Sequence, residues 1–347
     1  MNTEIYIGLM SGTSVDGLDV CAATFDDGNY SILAAETYEY PEELRNQLLH
    51  AHELSAVDLA QLSVDFGKFC GKKVKEFVKK NSITASYIAS HGQTVFHTPQ
   101  TGLTLQIGSG AHIAAESGIP TICDFRTLDV AMGGQGAPLV PIGDELLFSK
   151  YDSCLNIGGF ANVSTNVNGK RLAWDICPAN IVLNDFAQQF GQPYDKNGEI
   201  GRKGQVNIEL FNELNDLDFY SKQAPKSLGR EWVEQNIQPL FKKYNLSPED
   251  AMCTYYEHCG FQIGRSLKKY SLTLCTGGGA KNRFLIERIA QYTGAEIVIP
   301  AQKLVDFKEA LIFAYLGHLR IHGKPNCLAS VTGANKDVCG GVVWQVD

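Results

Sequence analysis

Two stretches of this chain share one pattern, and that pattern limits the folds open to it. Near the start, Glu4-Ile5-Tyr6-Ile7-Gly8-Leu9-Met10 runs into Ser11-Gly12-Thr13-Ser14-Val15-Asp16-Gly17 and resumes as Leu18-Asp19-Val20-Cys21-Ala22-Ala23-Thr24-Phe25. Mid-chain, Ser153-Cys154-Leu155-Asn156-Ile157 meets Gly158-Gly159-Phe160-Ala161-Asn162 and resumes as Val163-Ser164-Thr165-Asn166-Val167. Each reads as an apolar strand, a Gly/Ser/Asn turn and a second, partly alternating strand, hence a hairpin. A third strand is expected after each, over 30–33 and, past the turn at Asn168-Gly169, over 170–176.

Helical spacing of apolar residues predicts helices over 41–53, 57–80, 111–117, 181–190, 232–244, 254–267, 282–293 and 307–321. Short strands are expected over 87–89, 103–107, 120–125, 272–275 and 296–299. Strand–helix alternation led by two similar hairpins predicts a duplicated α/β protein with a cleft between two lobes. Glycine and proline cluster over 132–141, which places the lobe boundary there. One lobe is then 1–131 plus 331–347, the other 132–330.

Composition narrows the function classes. The 347 residues carry 30 Lys+Arg against 38 Asp+Glu, a net charge of −8, which argues against a nucleic-acid or membrane-surface binder. A phosphate ligand would then be held by backbone N–H groups and helix ends rather than by lysine clusters. No apolar run reaches the roughly 18–20 residues of a membrane span. The first ten residues lack the basic start and apolar stretch of a signal peptide. Ten scattered cysteines with no C-x-x-C predict reduced, mostly buried thiols and a cytoplasmic address. His91 and His97, with no cysteine partner, do not predict zinc.

A Gly-rich turn lets consecutive backbone N–H groups converge on an anion. Ser11, Thr13 and Ser14 add hydroxyls, and Asp16 and Asp19 suit a hydrated magnesium ion. One such turn alone would be read as a tight turn. Two of them, with Gly277, Gly278 and Gly279 after a strand, point to a nucleotide. A P-loop is excluded because no G-x-x-x-x-G-K-[ST] occurs. Gly108-Ser109-Gly110 lacks the third glycine of a dinucleotide site, with Ile113 in its place, and reads as a strand–helix turn.

These residues bear a family resemblance. Gly8-Leu9-Met10-Ser11-Gly12-Thr13-Ser14-Val15-Asp16-Gly17-Leu18-Asp19 resembles the opening signature of the anhydro-N-acetylmuramic acid kinases. Ser90-His91-Gly92-Gln93-Thr94 with His97 and Pro99, Asp124-Phe125-Arg126 with Asp129, and Gly133-Gly134-Gln135-Gly136-Ala137-Pro138-Leu139-Val140-Pro141 continue the match. So do Asn156-Ile157-Gly158-Gly159 with Asn162, Pro225-Lys226-Ser227 with Gly229-Arg230-Glu231, Gly277-Gly278-Gly279-Ala280 and Val331-Thr332-Gly333-Ala334. The motifs run in order through nearly the whole chain, and the stretch from 133 to 141 is highly specific.

The resemblance implies a duplicated two-lobe actin-like ATPase (ribonuclease H-like) fold, with ATP and Mg2+ in the central interlobe cleft and a homodimer. It also implies a kinase that opens the 1,6-anhydro bridge of anhydro-N-acetylmuramic acid with water and phosphorylates O6. The nucleotide would lie against Gly12, Thr13, Ser14, Val15, Asp16, Gly17, Leu18, Asp19, Gly158, Gly159, Asn162, Gly277, Gly278 and Gly279, with magnesium at Asp16 through water. The family's base falls on Asp175, whose rival role is capping the helix near Asn180. His91 and Gln93 either bond the sugar or organise their loop. Arg126 would pair with the lactyl carboxylate or form an ion pair with Asp124 or Asp129. Glu309 would meet the sugar or be a solvated helix-surface acid, and Lys226 and Arg230 would screen charge near the cleft.

After Asp175 the chain departs from the family. Cys177 and Ala179 stand where glycines flank the proline, and Asn184 where an aspartate often lies, so a reshaped loop is expected. Cys177 itself reads as a buried structural thiol, and Trp174 as core packing. Two competing readings stay open: a kinase for another anhydrosugar such as levoglucosan, and a nucleotide-binding regulator without sugar chemistry. Intact Asp175, Arg126 and Glu309 speak against the regulator.

Overall fold

The structure, a computed structural model, describes residues 3–12 and 14–346. The chain divides into two compact units, Met1–Leu147 with Phe307–Asp347, and Phe148–Asp306. These junctions differ from the expected 131/132 and 330/331. The return to the first unit falls inside the helix Gln302–Ile321, where Phe307 leaves helical geometry (φ −115°, ψ 16°).

In the first unit, β1 (Tyr6–Ser11), β2 (Leu18–Asp26) and β3 (Asn29–Tyr38) form an antiparallel meander. β4 (Tyr87–Ser90) then adds parallel to β1 and β7 (Thr121–Cys123) parallel to β4, while β13 (Val342–Trp344) closes the edge antiparallel to β7. A separate hairpin pairs β5 (Gln93–Thr98) with β6 (Leu103–Ile107). The helix Ala56–Asn81 starts at Ser55, whose side chain accepts the Asp58 N–H, and presents Leu62, Phe66, Cys70, Val74 and Phe77 to Ile7, Leu9, Val20 and Ile88 of the sheet. On the helix Gln302–Ile321 the fit is backbone to backbone: a Cβ built on Gly8 would lie 1.8 Å from the Ala310 carbonyl oxygen.

The second unit repeats the path. β8 (Ser153–Ile157), β9 (Phe160–Val167) and β10 (Lys170–Pro178) form an antiparallel meander. β11 (Leu272–Thr276) and β12 (Glu296–Val298) extend it in parallel from β8. Its core gathers Leu155, Ile157, Val163 and Ile176 of the sheet with Tyr255, Cys259 and Ile263 of the helix Pro248–Leu267. Strand orders β3-β2-β1-β4-β7 and β10-β9-β8-β11-β12 are the same topology twice. The duplicated actin-like α/β expectation holds.

Several local readings change. The expected helix over 232–244 is two, Arg230–Asn236 and Gln238–Tyr244, because Pro239 cannot donate into a continuous ladder. The helix expected over 307–321 starts at Gln302. The helices Val140–Leu147 and Ile208–Asn215 were not expected; the first contains Pro141 and Gly143, poor helix formers, and is held by burial. β5 and the C-terminal β13 are further additions. Among the described residues no helix is long and apolar enough to cross a membrane.

Candidate active site

The first hairpin turn joins β1 to β2. Here the left-handed residue is not a glycine: Val15, buried, takes φ 49°. A β-branched side chain resists that region, and the turn is held by the Val15 N–H to Gly12 O bond (3.1 Å) and by Arg45 Nε donating to Val15 O (3.1 Å). Gly17 serves close approach instead, since a Cβ there would lie 2.6 Å from Thr37 Cγ2. Ser14 and Asp16 are exposed, and half-buried Asp19 accepts from Thr37 Oγ1 at 2.5 Å. Thr13 lies outside the described residues.

Beside this turn, the end of β1 gathers the next motif. Ser11 Oγ donates to Gln93 Oε1 (2.5 Å) and accepts from Tyr40 OH (2.7 Å). His91 Nδ1 lies 3.3 Å from Ser11 O, and its Nε2 accepts from Arg126 Nη2 (2.9 Å) and Nε (3.3 Å). Both ring nitrogens are engaged. Burial, with the Arg126 charge beside it, pulls the imidazole down to about 3, so His91 is neutral and is no proton donor at neutral pH.

Arg126 also donates from Nη1 to Gly136 O (2.5 Å). A guanidinium has five N–H groups; these contacts use three and leave two for a ligand. The expected rivals fall away: Asp124 Oδ1 accepts the Thr127 N–H, and buried Asp129 accepts from Gly136 N, Cys327 Sγ and Thr332 Oγ1. The glycine loop therefore wraps Asp129, and its Gly136 carbonyl aims Arg126. Glu309, on the helix Gln302–Ile321, is half-buried rather than solvated. Burial raises its carboxyl pKa, opposed by Lys308 and Arg126 and reinforced by Asp19 and Asp144. Lys308 pairs with Asp144 at 2.6 Å, both buried.

The second unit places Asp175 on β10 directly opposite Asn162 of β9, at the start of a register shift between Asp175 and Cys177. Such bulges re-aim side chains. Asp175 Oδ2 accepts the Leu228 N–H (2.8 Å), and the Asp175 N–H donates to Lys226 O (2.9 Å). The carboxylate does not cap the helix Asn180–Gln188; it is tied to the 226–228 loop. Burial raises its pKa and the Leu228 bond partly opposes the rise. The sign for stability follows. Ionised Asp175 costs the fold stability above its raised pKa, and the cost vanishes below the unfolded value. Asp175→Asn is therefore expected to hold or raise the melting temperature at pH 7, measured by calorimetry.

Three turns meet at one end of this sheet. The Ala179 and Ile181 N–H groups donate to Gly159 O, the Asn180 N–H to Gly158 O, and Asn180 Nδ2 to Ile157 O. Gly277 takes φ 85°, and a Cβ on Gly279 would lie 2.2 Å from Ile157 Cγ2. Only glycine permits that closeness. The loop at Cys177 and Ala179 does not use positive φ: Ala179 has φ −128° and ψ −98°, in neither the helical nor the extended region, and Cys177 has no positive φ. Cys177 is fully buried, as expected of a structural thiol, and Trp174 packs on the core.

Some residues of the matched motifs make other contacts. Lys226 Nζ donates to Phe219 O (2.9 Å) and sits over the Phe219 ring, and His97 Nδ1 meets Thr104 Oγ1. Arg230 is exposed at the start of its helix. Sequence reasoning missed the 226–228 backbone as the partner of Asp175; the Pro225-Lys226-Ser227 motif was its only signal.

The family model of anhydro-N-acetylmuramic acid kinase matches residues 4–346. An anhydro-N-acetylmuramic acid kinase of Vibrio cholerae serotype O1 is 35% identical, with 99% of this chain and 99% of that protein covered. One from Sulfurimonas denitrificans is 33% identical over 99% of this chain and 100% of its own length. Among solved structures, a ROK family glucokinase from Streptomyces griseus in complex with glucose and AMPPNP is 13% identical, covering 89% of this chain and 97% of that one, at a TM-score of 0.40.

Proposed function

The chain belongs to the anhydro-N-acetylmuramic acid kinase family, and from that premise we propose that it opens the 1,6-anhydro bridge of anhydro-N-acetylmuramic acid with water and phosphorylates O6 from ATP. The products are N-acetylmuramic acid 6-phosphate and ADP, a step of peptidoglycan recycling. The observation that carries the reading is Asp175: a half-buried carboxylate held by one backbone N–H, at the position of the family's base.

In this mechanism Asp175 accepts a proton from water as the water oxygen attacks C1. The C1–O6 bond breaks, and O6 takes the γ-phosphoryl group as the bond to the β-phosphate oxygen breaks. Asp175 needs its proton off, so the raised pKa moves the acid limb of the kcat/KM profile above the ordinary carboxylate range. A pH–rate series checks this, and an acid limb at the usual aspartate value would contradict it.

The backbone N–H groups around Gly12, Gly17, Gly158, Gly159, Gly277, Gly278 and Gly279 suit phosphates and the flat adenosine group. Ser14, Val15 and Leu18 belong to the β1–β2 hairpin, and Asn162 belongs to β9. Exposed Asp16, with Asp19, offers the oxygen donors that magnesium prefers; when bound, the ion neutralises phosphate charge. Arg126 holds the lactyl carboxylate with its two remaining N–H groups. His91 acts through Arg126, Gln93 holds Ser11, and Glu309 meets the sugar. Lys226 fixes the loop under Asp175, and Arg230 screens charge nearby. Arg126→Lys is expected to raise KM for the sugar about 10-fold or more, the worth of a charged hydrogen bond, with KM for ATP unchanged in initial-rate assays.

A homodimer in the cytoplasm follows from the same family reading, and light scattering of the purified chain tests the dimer. The sugar is tested by ADP release with anhydro-N-acetylmuramic acid and levoglucosan side by side. Preference for levoglucosan would overturn the substrate, and ATP binding without sugar-dependent ADP would favour the regulator.

A further inference from the structure

The far end of the helix Gln302–Ile321 carries side chains that the kinase reaction does not use. His318 and His322 stand four residues apart, on one helix face, with ring centroids 4.3 Å apart. Glu4, just ahead of β1, meets them: its Oε2 lies 3.9 Å from His322 Nε2. Each of the three residues offers a donor atom within 4.8 Å of the others, the one such group of His, Cys, Asp and Glu among the described residues.

We propose that Glu4, His318 and His322 bind a first-row divalent transition-metal ion of the zinc class, through two imidazoles and one carboxylate, with water completing the shell. Two histidines and a carboxylate with an open position are a donor set that zinc accepts. All-oxygen ions such as magnesium do not favour it.

The tautomers support this. His322 Nδ1 lies 2.9 Å from His318 O, and a carbonyl only accepts, so Nδ1 carries the proton and Nε2 turns a lone pair toward Glu4. Both atoms present lone pairs to the space between them, as two donors to one cation would. A ring N–H bonded to a backbone carbonyl is the usual outer support of a metal-ligating histidine. Glu4 is supported in the same way by Tyr6 OH, which donates to Oε2 at 2.5 Å. His318 is held edge-on by Tyr6 and stacked on Tyr315, and its buried Nδ1 has no hydrogen-bond partner.

Metal–ligand bonds of about 2.1 Å place tetrahedral donors about 3.4 Å apart. The donors lie within 4.8 Å of one another, so reaching that spacing takes rotation of the Glu4 and His322 side chains, which are 43% and 42% exposed. The ion would tie the segment before β1 to the end of the helix. Since the unfolded chain lacks this arrangement, binding stabilises the fold.

The test uses the full chain and Zn2+ by calorimetric titration, with melting temperature as a second readout. The expected result is one zinc per chain, a melting temperature that rises with zinc, and an affinity at least about 10-fold weaker in His322→Ala and in Glu4→Gln. Co2+ should give a visible ligand-field spectrum in the parent that both variants lose. Equal zinc binding by parent and variants would overturn the proposal by placing the ion elsewhere. No saturable zinc binding would overturn it too.

Discussion

Asp175→Asn lowers kcat by about 10²–10⁴-fold, the usual worth of a positioned general base, while ATP affinity and melting temperature stay at or above those of the parent. The reason is local. Asparagine keeps an oxygen to accept the Leu228 N–H, so the loop over 226–228 stays tied to β10. What it lacks is a lone pair basic enough to take the proton of the attacking water. It also removes a carboxylate that burial makes costly to ionise, so a purely structural role predicts the opposite stability result. Single-turnover ADP formation beside calorimetry separates the two. Turnover near that of the parent would remove Asp175 from the chemistry.

Gly8→Ala is expected to act through the fold, and severely. The added Cβ would lie 1.8 Å from Ala310 O and 2.7 Å from Ala314 N, all backbone, so no side chain can swing away. Either β1 or the helix Gln302–Ile321 must shift. Overpacking of this kind costs about 1–3 kcal/mol or more, a fall in melting temperature of about 6–12 °C at the upper end, or loss of soluble protein. Ala310 directly follows Glu309, so surviving protein should also show a raised KM for the sugar. Parent-like stability would contradict the close β1–helix contact.

Much of this was legible because glycine and period-2 alternation leave local marks. The two meanders, with β1–β2 and β8–β9 as hairpins, follow from short-range pattern, and Asp175 could be set on β10 by counting along its strand. What the sequence hid is tertiary. Nothing local says that His91 spends both nitrogens on Ser11 and Arg126, or that Lys226 turns to Phe219. The left-handed residue in the first turn is Val15, against its own preference, because Arg45 and Gly12 hold it there. A reshaped loop was expected at Ala179, and its backbone, at φ −128° and ψ −98°, is indeed neither helical nor extended, without using positive φ. The helix Val140–Leu147 escaped because burial, and not propensity, makes it; a Cβ on its Gly143 would lie 2.6 Å from Ile312.

The most direct test follows solvent oxygen. With ATP and anhydro-N-acetylmuramic acid in 18O water, product examined early by mass spectrometry and 31P NMR should be N-acetylmuramic acid 6-phosphate. It should carry one heavy oxygen at C1 and none in the phosphate. Label in the phosphate instead, or ADP formed without consumption of the sugar, would mean that water attacks phosphorus and not the anomeric carbon.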